Sequence, residues 1–216
     1  MIRKYIILLC AIIAFFGSVI ATFATQSERD FMLRGVADAT QNPNLPYRMP
    51  LLGVNAELTQ YTPDELRYHL NLMRDGNIHW VRQLVRWDNI EPNQGEYLWD
   101  TWDIIISTFQ DYPELELVVV FVDAPQWATQ HPHDPTSQRT APPDNPQTFA
   151  DFIGVFANRY QGTTNFYQIW DEPNITLGWG NLEPNVAHYV VMLQSAYDTI
   201  HQNDPSAHVI GAGLAP

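Results

Sequence analysis

Lysine and cysteine are all but absent from this chain. Its 216 residues hold one lysine, Lys4, and one cysteine, Cys10. No lysine is left for a folded domain, which excludes a Schiff-base amine and a P-loop lysine. A lone cysteine excludes an internal disulfide, and Cys10 lies within an apolar run, where it reads as filler rather than as a thiolate nucleophile or metal ligand. Positive charge is scarce as well, with 11 Lys and Arg against 24 Asp and Glu. Binding nucleic acid requires basic side chains against the phosphates, so nucleic acid is excluded as a partner and a neutral substrate fits better. No glycine-rich nucleotide loop is present: Gly211-Ala212-Gly213 falls at a late strand with no helix after it. No fixed-period repeat or low-complexity tract stands out, and no cofactor is expected. His131-Pro132-His133-Asp134 has metal-ligand residue types, but two histidines in a proline-bearing loop read as solvated, and no metal is expected.

The first 24 residues are of a different kind. Arg3 and Lys4 precede a run from Ile6 to Phe16, and no further charge appears until Glu28. A basic segment followed by an apolar one is an export signal. Val19-Ile20-Ala21 and Thr22-Phe23-Ala24 both suit cleavage. Residues 6–24 are also about long enough to span a bilayer as an uncleaved anchor, with the positive end in the cytoplasm. Residues 1–24 are therefore expected to be a signal peptide or N-terminal membrane anchor, and the protein to be exported, extracellular or at the cell surface. Without them the chain keeps 9 basic against 24 acidic residues, a net charge near −15. Residues 25–50, with Asn42-Pro43-Asn44-Leu45-Pro46 and Met49-Pro50, read as a linker or leader.

From Leu51 onward, short apolar runs alternate with helical patterns. The runs are Leu51–Asn55, Trp80–Val85, Leu115–Val122, Phe166–Trp170 and His208–Gly213. The third is nearly unbroken apolar, as expected of a strand buried on both faces of a parallel sheet. Thr62-Pro63-Asp64-Glu65 predicts a capped helix start, with Pro63 at its first position and Glu65 completing a capping box, and Gly76 predicts its end. A second helix is expected around Trp99 to Gln110, with Leu98, Trp102, Ile105, Ile106 and Phe109 facing the core. Asn145-Pro146 starts a third, closed by Gly162, and a fourth runs from about Asn185 to Gln202. Four β-α units and a fifth strand imply parallel pairing with right-handed crossovers. A doubly wound sheet and a barrel both fit that alternation. Long polar segments after strands two, three and four favour the barrel, in which such loops build the site.

The chain is organised around Phe166-Tyr167-Gln168-Ile169-Trp170-Asp171-Glu172-Pro173-Asn174. Strand-forming residues lead into two adjacent carboxylates, and Pro173 stops the strand because it has no N–H for the ladder. Carboxylates at the carboxyl end of a strand are where a barrel does its chemistry.

Three strand ends resemble clan A glycoside hydrolases of the family five and family thirty-nine type. Trp80-Val81-Arg82 with Trp87-Asp88-Asn89-Ile90-Glu91-Pro92, then Gly95, Tyr97 and Trp99, resembles their strand-two end. Ala124-Pro125-Gln126-Trp127-Ala128 resembles the end of strand three, and Trp170-Asp171-Glu172-Pro173-Asn174 the end of strand four. The resemblance implies an α/β fold, a (β/α)8 TIM barrel, of which Leu51 to Pro216 would be the N-terminal part, truncated after about the fifth strand. Such a barrel takes about 250 residues. It also implies an O-glycosyl hydrolase, expected to be retaining, that acts on a poly- or oligosaccharide with Glu172 as general acid/base.

The preceding family residue, an asparagine that contacts the sugar 2-hydroxyl, is here Asp171. An ionised aspartate accepts that bond but cannot donate one. The family nucleophile, a glutamate at strand seven, is expected to be missing from this chain, which alone is then expected to be inactive. Asp123 and Glu91 are the other carboxylates near the site, and neither matches the nucleophile position. Arg82 is expected to point into the barrel end and hold the nucleophile. Trp87, Trp127, Trp170 and Trp179 have the flat faces that stack on sugars; a sugar role is favoured for Trp170 and Trp127 and a core role for the others. Asn55, at the end of strand one, completes the candidate substrate contacts. The alternative reading is a non-catalytic carbohydrate-binding surface protein on a degenerate barrel, suggested by Asp171 and the missing nucleophile.

Overall fold

The computed structural model describes residues 14–22 and 52–216. Contacts divide the chain into two units, Met1–Met49 and Pro50–Pro216. Within the first, residues 14–22 form a helix, α1, with Phe15, Phe16 and Ile20 exposed. The rest of the expected signal or anchor, and the 25–50 leader, lie outside the described residues. Among those described, no helix is long and apolar enough to cross a membrane.

In the second unit five strands alternate with helices: β1 (Gly53–Ala56), α2 (Pro63–Asp75), β2 (Trp80–Arg86), α3 (Trp87–Ile90), α4 (Asp100–Phe109), β3 (Glu116–Val122), α5 (Pro146–Arg159), β4 (Phe166–Ile169), α6 (Val186–Asn203) and β5 (His208–Ile210). The strands lie in one sheet in the order β1-β2-β3-β4-β5, every pair parallel. That order decides between the two α/β architectures. A doubly wound sheet reverses direction at a switch point, whereas a barrel lays each new strand beside the last. The sheet has the order and parallel pairing of five consecutive strands of a (β/α)8 barrel.

Helix starts follow local chemistry. Thr62 Oγ1 accepts from the Glu65 amide, and the Glu65 carboxylate accepts from the Thr62 amide, so both halves of the capping box form. Thr62→Ala is expected to lower stability by about 1 kcal/mol, read as a lower urea midpoint with unchanged slope. Asn145 and Asn185 cap α5 and α6 with their side-chain oxygens. The core lies between the helices and the sheet. Leu66 and Leu70 of α2, Ile105 and Ile106 of α4, Phe152 and Phe156 of α5 and Ile200 of α6 pack over Val81, Val85, Val119 and Phe121. Val119, Val120, Phe121 and Val122 are all buried, so β3 is covered on both faces. Leu98 departs from the expected core face and is 61 % exposed. It precedes α4, and its amide bonds back to the Ile90 carbonyl, which closes the loop and leaves its side chain outside.

Candidate active site

The carboxyl ends of the strands carry an unusual backbone. Asp123, Trp170 and Glu172 all have positive φ, at 61°, 66° and 51°. This left-handed region costs a side-chain-bearing residue about 1–2 kcal/mol, and for a bulky residue such as Trp170 it is a true outlier. Strain of this kind collects at functional sites, where surrounding contacts impose it. The Trp170 amide continues the β3 ladder by donating to the Phe121 carbonyl, and its own carbonyl accepts from Gln168 Nε2. Asp171 forms an isolated bridge with Gly213, and the Glu172 amide donates to the Gly213 carbonyl. Gly178 packs against the Glu172 backbone so closely that an added Cβ would lie 2.1 Å from the Glu172 carbonyl oxygen. Glu172 is thus fixed through its main chain. Its carboxylate, half-buried, has no hydrogen bond or ion pair among the described residues.

Beside it in the chain, polar side chains from β1, β2 and β4 converge. Arg82 of β2 donates through Nη1 to Asn55 Oδ1 of β1, through Nε to Gln168 Oε1 of β4, and through Nη2 to Asp171 Oδ1 at 2.6 Å. The structure therefore brings together Asn55, Arg82 and Asp171, all expected at the site, and adds two residues that the sequence reading passed over. Gln168 is a polar residue inside an apolar strand, which was its only signal. Arg139, in the loop between β3 and α5, reaches Asp171 Oδ2 through Nη2 at 3.3 Å. No local pattern announces a contact 32 residues away in sequence.

The other carboxylates are committed elsewhere. Glu91 is buried and accepts from Trp87 Nε1 and the Gly95 amide, which fixes the loop after β2. Asp123 is buried too, pairs with Arg86 at 2.5 Å and accepts from the Thr140 amide. Its neighbour Asp88 has one buried carboxyl oxygen with no partner. Burial first, and the Asp123 charge second, push the Asp88 carboxyl above the usual range. An acid raised on folding favours the folded state while protonated, and that contribution is lost as pH rises through the raised value. Asp88→Asn is therefore expected to raise the melting temperature at pH 7 and give no gain at pH 3. An equal gain at both pH values, measured by circular dichroism, would refute this.

The tryptophans divide differently from expectation. Trp87 and Trp179 are core, as read. Trp127 is half-buried, donates through Nε1 to the Glu91 carbonyl and stands edge-on to Trp87. Trp170, expected to stack on sugar, is corrected: it is 0 % exposed, lies against Phe149 and Trp179 and donates through Nε1 to the Gly178 carbonyl. The left-handed turn at Trp170 itself sends the ring into the core. Two clefts flank the strand ends. One, of about 470 Å³, is lined by Glu57, Arg86, Asn89, Leu98 and Trp102; the other, of about 510 Å³, lies between His131 and His188; Glu172 lines neither. In the histidine segment, His133 bonds the Ala124 carbonyl and Asp134 caps the turn at Thr136. Among the described residues, no cluster of three metal-ligating side chains forms.

The sequence matches no protein-family model and no curated protein. The five-strand unit does match solved structures. A family 39 glycoside hydrolase from Bacteroides cellulosilyticus WH2 superposes with a TM-score of 0.59 at 19% identity, over 75% of this chain and 32% of that one. An exo-β-1,4-mannosidase from Opitutaceae bacterium strain TAV5 gives 0.56 at 16%, over 76% and 32%. Endo-glycoceramidase II from Rhodococcus sp. gives 0.57 at 18%, over 76% and 49%. Over the part it covers, the five-strand unit shares the fold of these glycoside hydrolases. It spans about a third to a half of the length of these structures. At such identities the likeness concerns the barrel alone.

Proposed function

We propose that the protein is an O-glycosyl hydrolase that cleaves a poly- or oligosaccharide by a retaining mechanism, with Glu172 as its general acid/base. The observation that carries this reading is Glu172 itself. It is a carboxylate without a hydrogen-bond or ion-pair partner among the described residues, fixed through a strained main chain at the carboxyl edge of a glycosidase-type sheet. Protonated, Glu172 gives its proton to the leaving glycosidic oxygen. As a carboxylate it then takes a proton from the water that releases the product. A retaining mechanism needs a second carboxylate about 5 Å away as nucleophile. Asp123 and Glu91 are spent on structural contacts, and the resemblance gives that role to a glutamate at strand seven. Arg82 stands at the strand ends to orient that carboxylate, and Asn55 and Asp171 offer acceptors to sugar hydroxyls. Half-buried Trp127 offers a partly open ring.

Export through residues 1–24 belongs to the same proposal, and a glycan outside the cell suits an exported enzyme. The test is hydrolysis of aryl β-glycosides and β-linked oligosaccharides by the intact gene product, lost on Glu172→Gln. The alternative, carbohydrate binding without turnover, draws on Asp171, whose two oxygens are both engaged by arginines. Glycan-array binding by a protein that hydrolyses none of its ligands would favour it.

A further inference from the structure

Arg139 is more than a tether for its loop. Its guanidinium carries five N–H groups. One bonds the Gln138 carbonyl and one Asp171 Oδ2. The remaining three have no acceptor among the described residues, although the side chain is only 14% exposed. Arg82 differs: it spreads three bonds over Asn55, Gln168 and Asp171, and its Asp171 contact is short at 2.6 Å, against 3.3 Å for Arg139. Arg82 anchors the carboxylate, and the looser guanidinium stands on its other side with donors to spare. Nor does the loop depend on Arg139 alone. Thr140 bonds Asp123 Oδ1 and the Ala124 carbonyl, and Ser137 Oγ bonds the Leu177 carbonyl.

We propose that Arg139 is a substrate-binding residue that forms with Asp171 a donor–acceptor pair gripping two neighbouring hydroxyls of the sugar next to Glu172. The proposal rests on the glycosidase reading for its ligand. A carboxylate accepts from one hydroxyl of a vicinal diol while the guanidinium beside it donates to the next. Asp171 alone, acceptor-only, could satisfy one side of that pattern, and Arg139 supplies the other. An asparagine at 171 would carry donor and acceptor on a single side chain and make Arg139 dispensable. A residue that merely tied the loop down would lose its partner in the same change, so Asp171→Asn alone would then cost as much as Arg139→Ala.

The experiment uses the intact gene product and the 4-nitrophenyl β-glycosides of glucose, galactose, mannose and xylose. Arg139→Ala is expected to lower kcat/KM for the best of them about 30-fold, the loss of a charge-assisted hydrogen bond. Arg139→Gln, which keeps an amide donor, should lose less. Asp171→Asn/Arg139→Ala is expected to recover to within about threefold of Asp171→Asn alone, with thermal unfolding as the check that each variant folds. Calorimetric titration of the same glycosides into Glu172→Gln, with and without Arg139→Ala, reads binding apart from turnover. Turnover without an Arg139 effect, or a double variant no better than Arg139→Ala, overturns the proposal and leaves the glycosidase reading standing. An Arg139-dependent loss of binding without any turnover upholds the proposal and sinks the glycosidase reading. Neither binding nor turnover sinks both.

Discussion

Glu172→Gln in the intact gene product is expected to slow cleavage of a β-linked oligosaccharide by about three orders of magnitude, the scale of a lost general acid. The size should depend on the leaving group. A sugar alkoxide cannot depart without a proton, whereas 4-nitrophenolate departs almost unaided, so the first step on an aryl glycoside should lose far less. Release of the product, which needs Glu172 as base, stays slow for both. The signature is a burst of 4-nitrophenol followed by a low steady rate. Glutamine matches glutamate in shape, and Glu172 makes no side-chain bond among the described residues, so folding should be untouched. Equal rates for Glu172→Gln and the parent on an oligosaccharide would end the assignment.

The main-chain setting of Glu172 shows what a sequence can and cannot disclose. Its position was legible, because strand-formers run into Trp170-Asp171-Glu172-Pro173 and a proline cannot continue the ladder. The capping box at Thr62 and the double burial of β3 were legible for the same reason: each depends on neighbours in the sequence. Parallel pairing followed from alternation and crossover handedness, although only the observed strand order separated barrel from doubly wound sheet. The left-handed turns at Asp123, Trp170 and Glu172 left no trace, since none of the three is glycine. Arg139 was invisible because its value lies in Asp171, across a loop. Gln168 could have been found as the one amide in an otherwise apolar strand, where its side-chain oxygen accepts from Arg82. Trp170 was misread because residue type cannot separate a tryptophan that faces sugar from one that faces core.

That last distinction can be measured. Trp170→Ala is expected to destabilise the five-strand unit by about 3–5 kcal/mol, the cost of emptying a large aromatic site in a core. Part of the loss is the cavity between Phe149 and Trp179, and part is the Gly178 carbonyl left without its indole donor. Alanine keeps the left-handed strain, so nothing is recovered from the backbone. Trp170→Gly would relieve about 1 kcal/mol of it and so soften the loss slightly, despite the added chain entropy. Trp127→Ala should behave in the opposite sense. Half-buried and bonded to the Glu91 carbonyl, it should cost less stability and weaken sugar binding more. Urea unfolding of the three variants, set beside titration of an oligosaccharide into each, reads both effects. A Trp170→Ala protein as stable as the parent but unable to bind sugar would show that the ring faces the substrate after all, and would place the strand-four end differently from the structure described above.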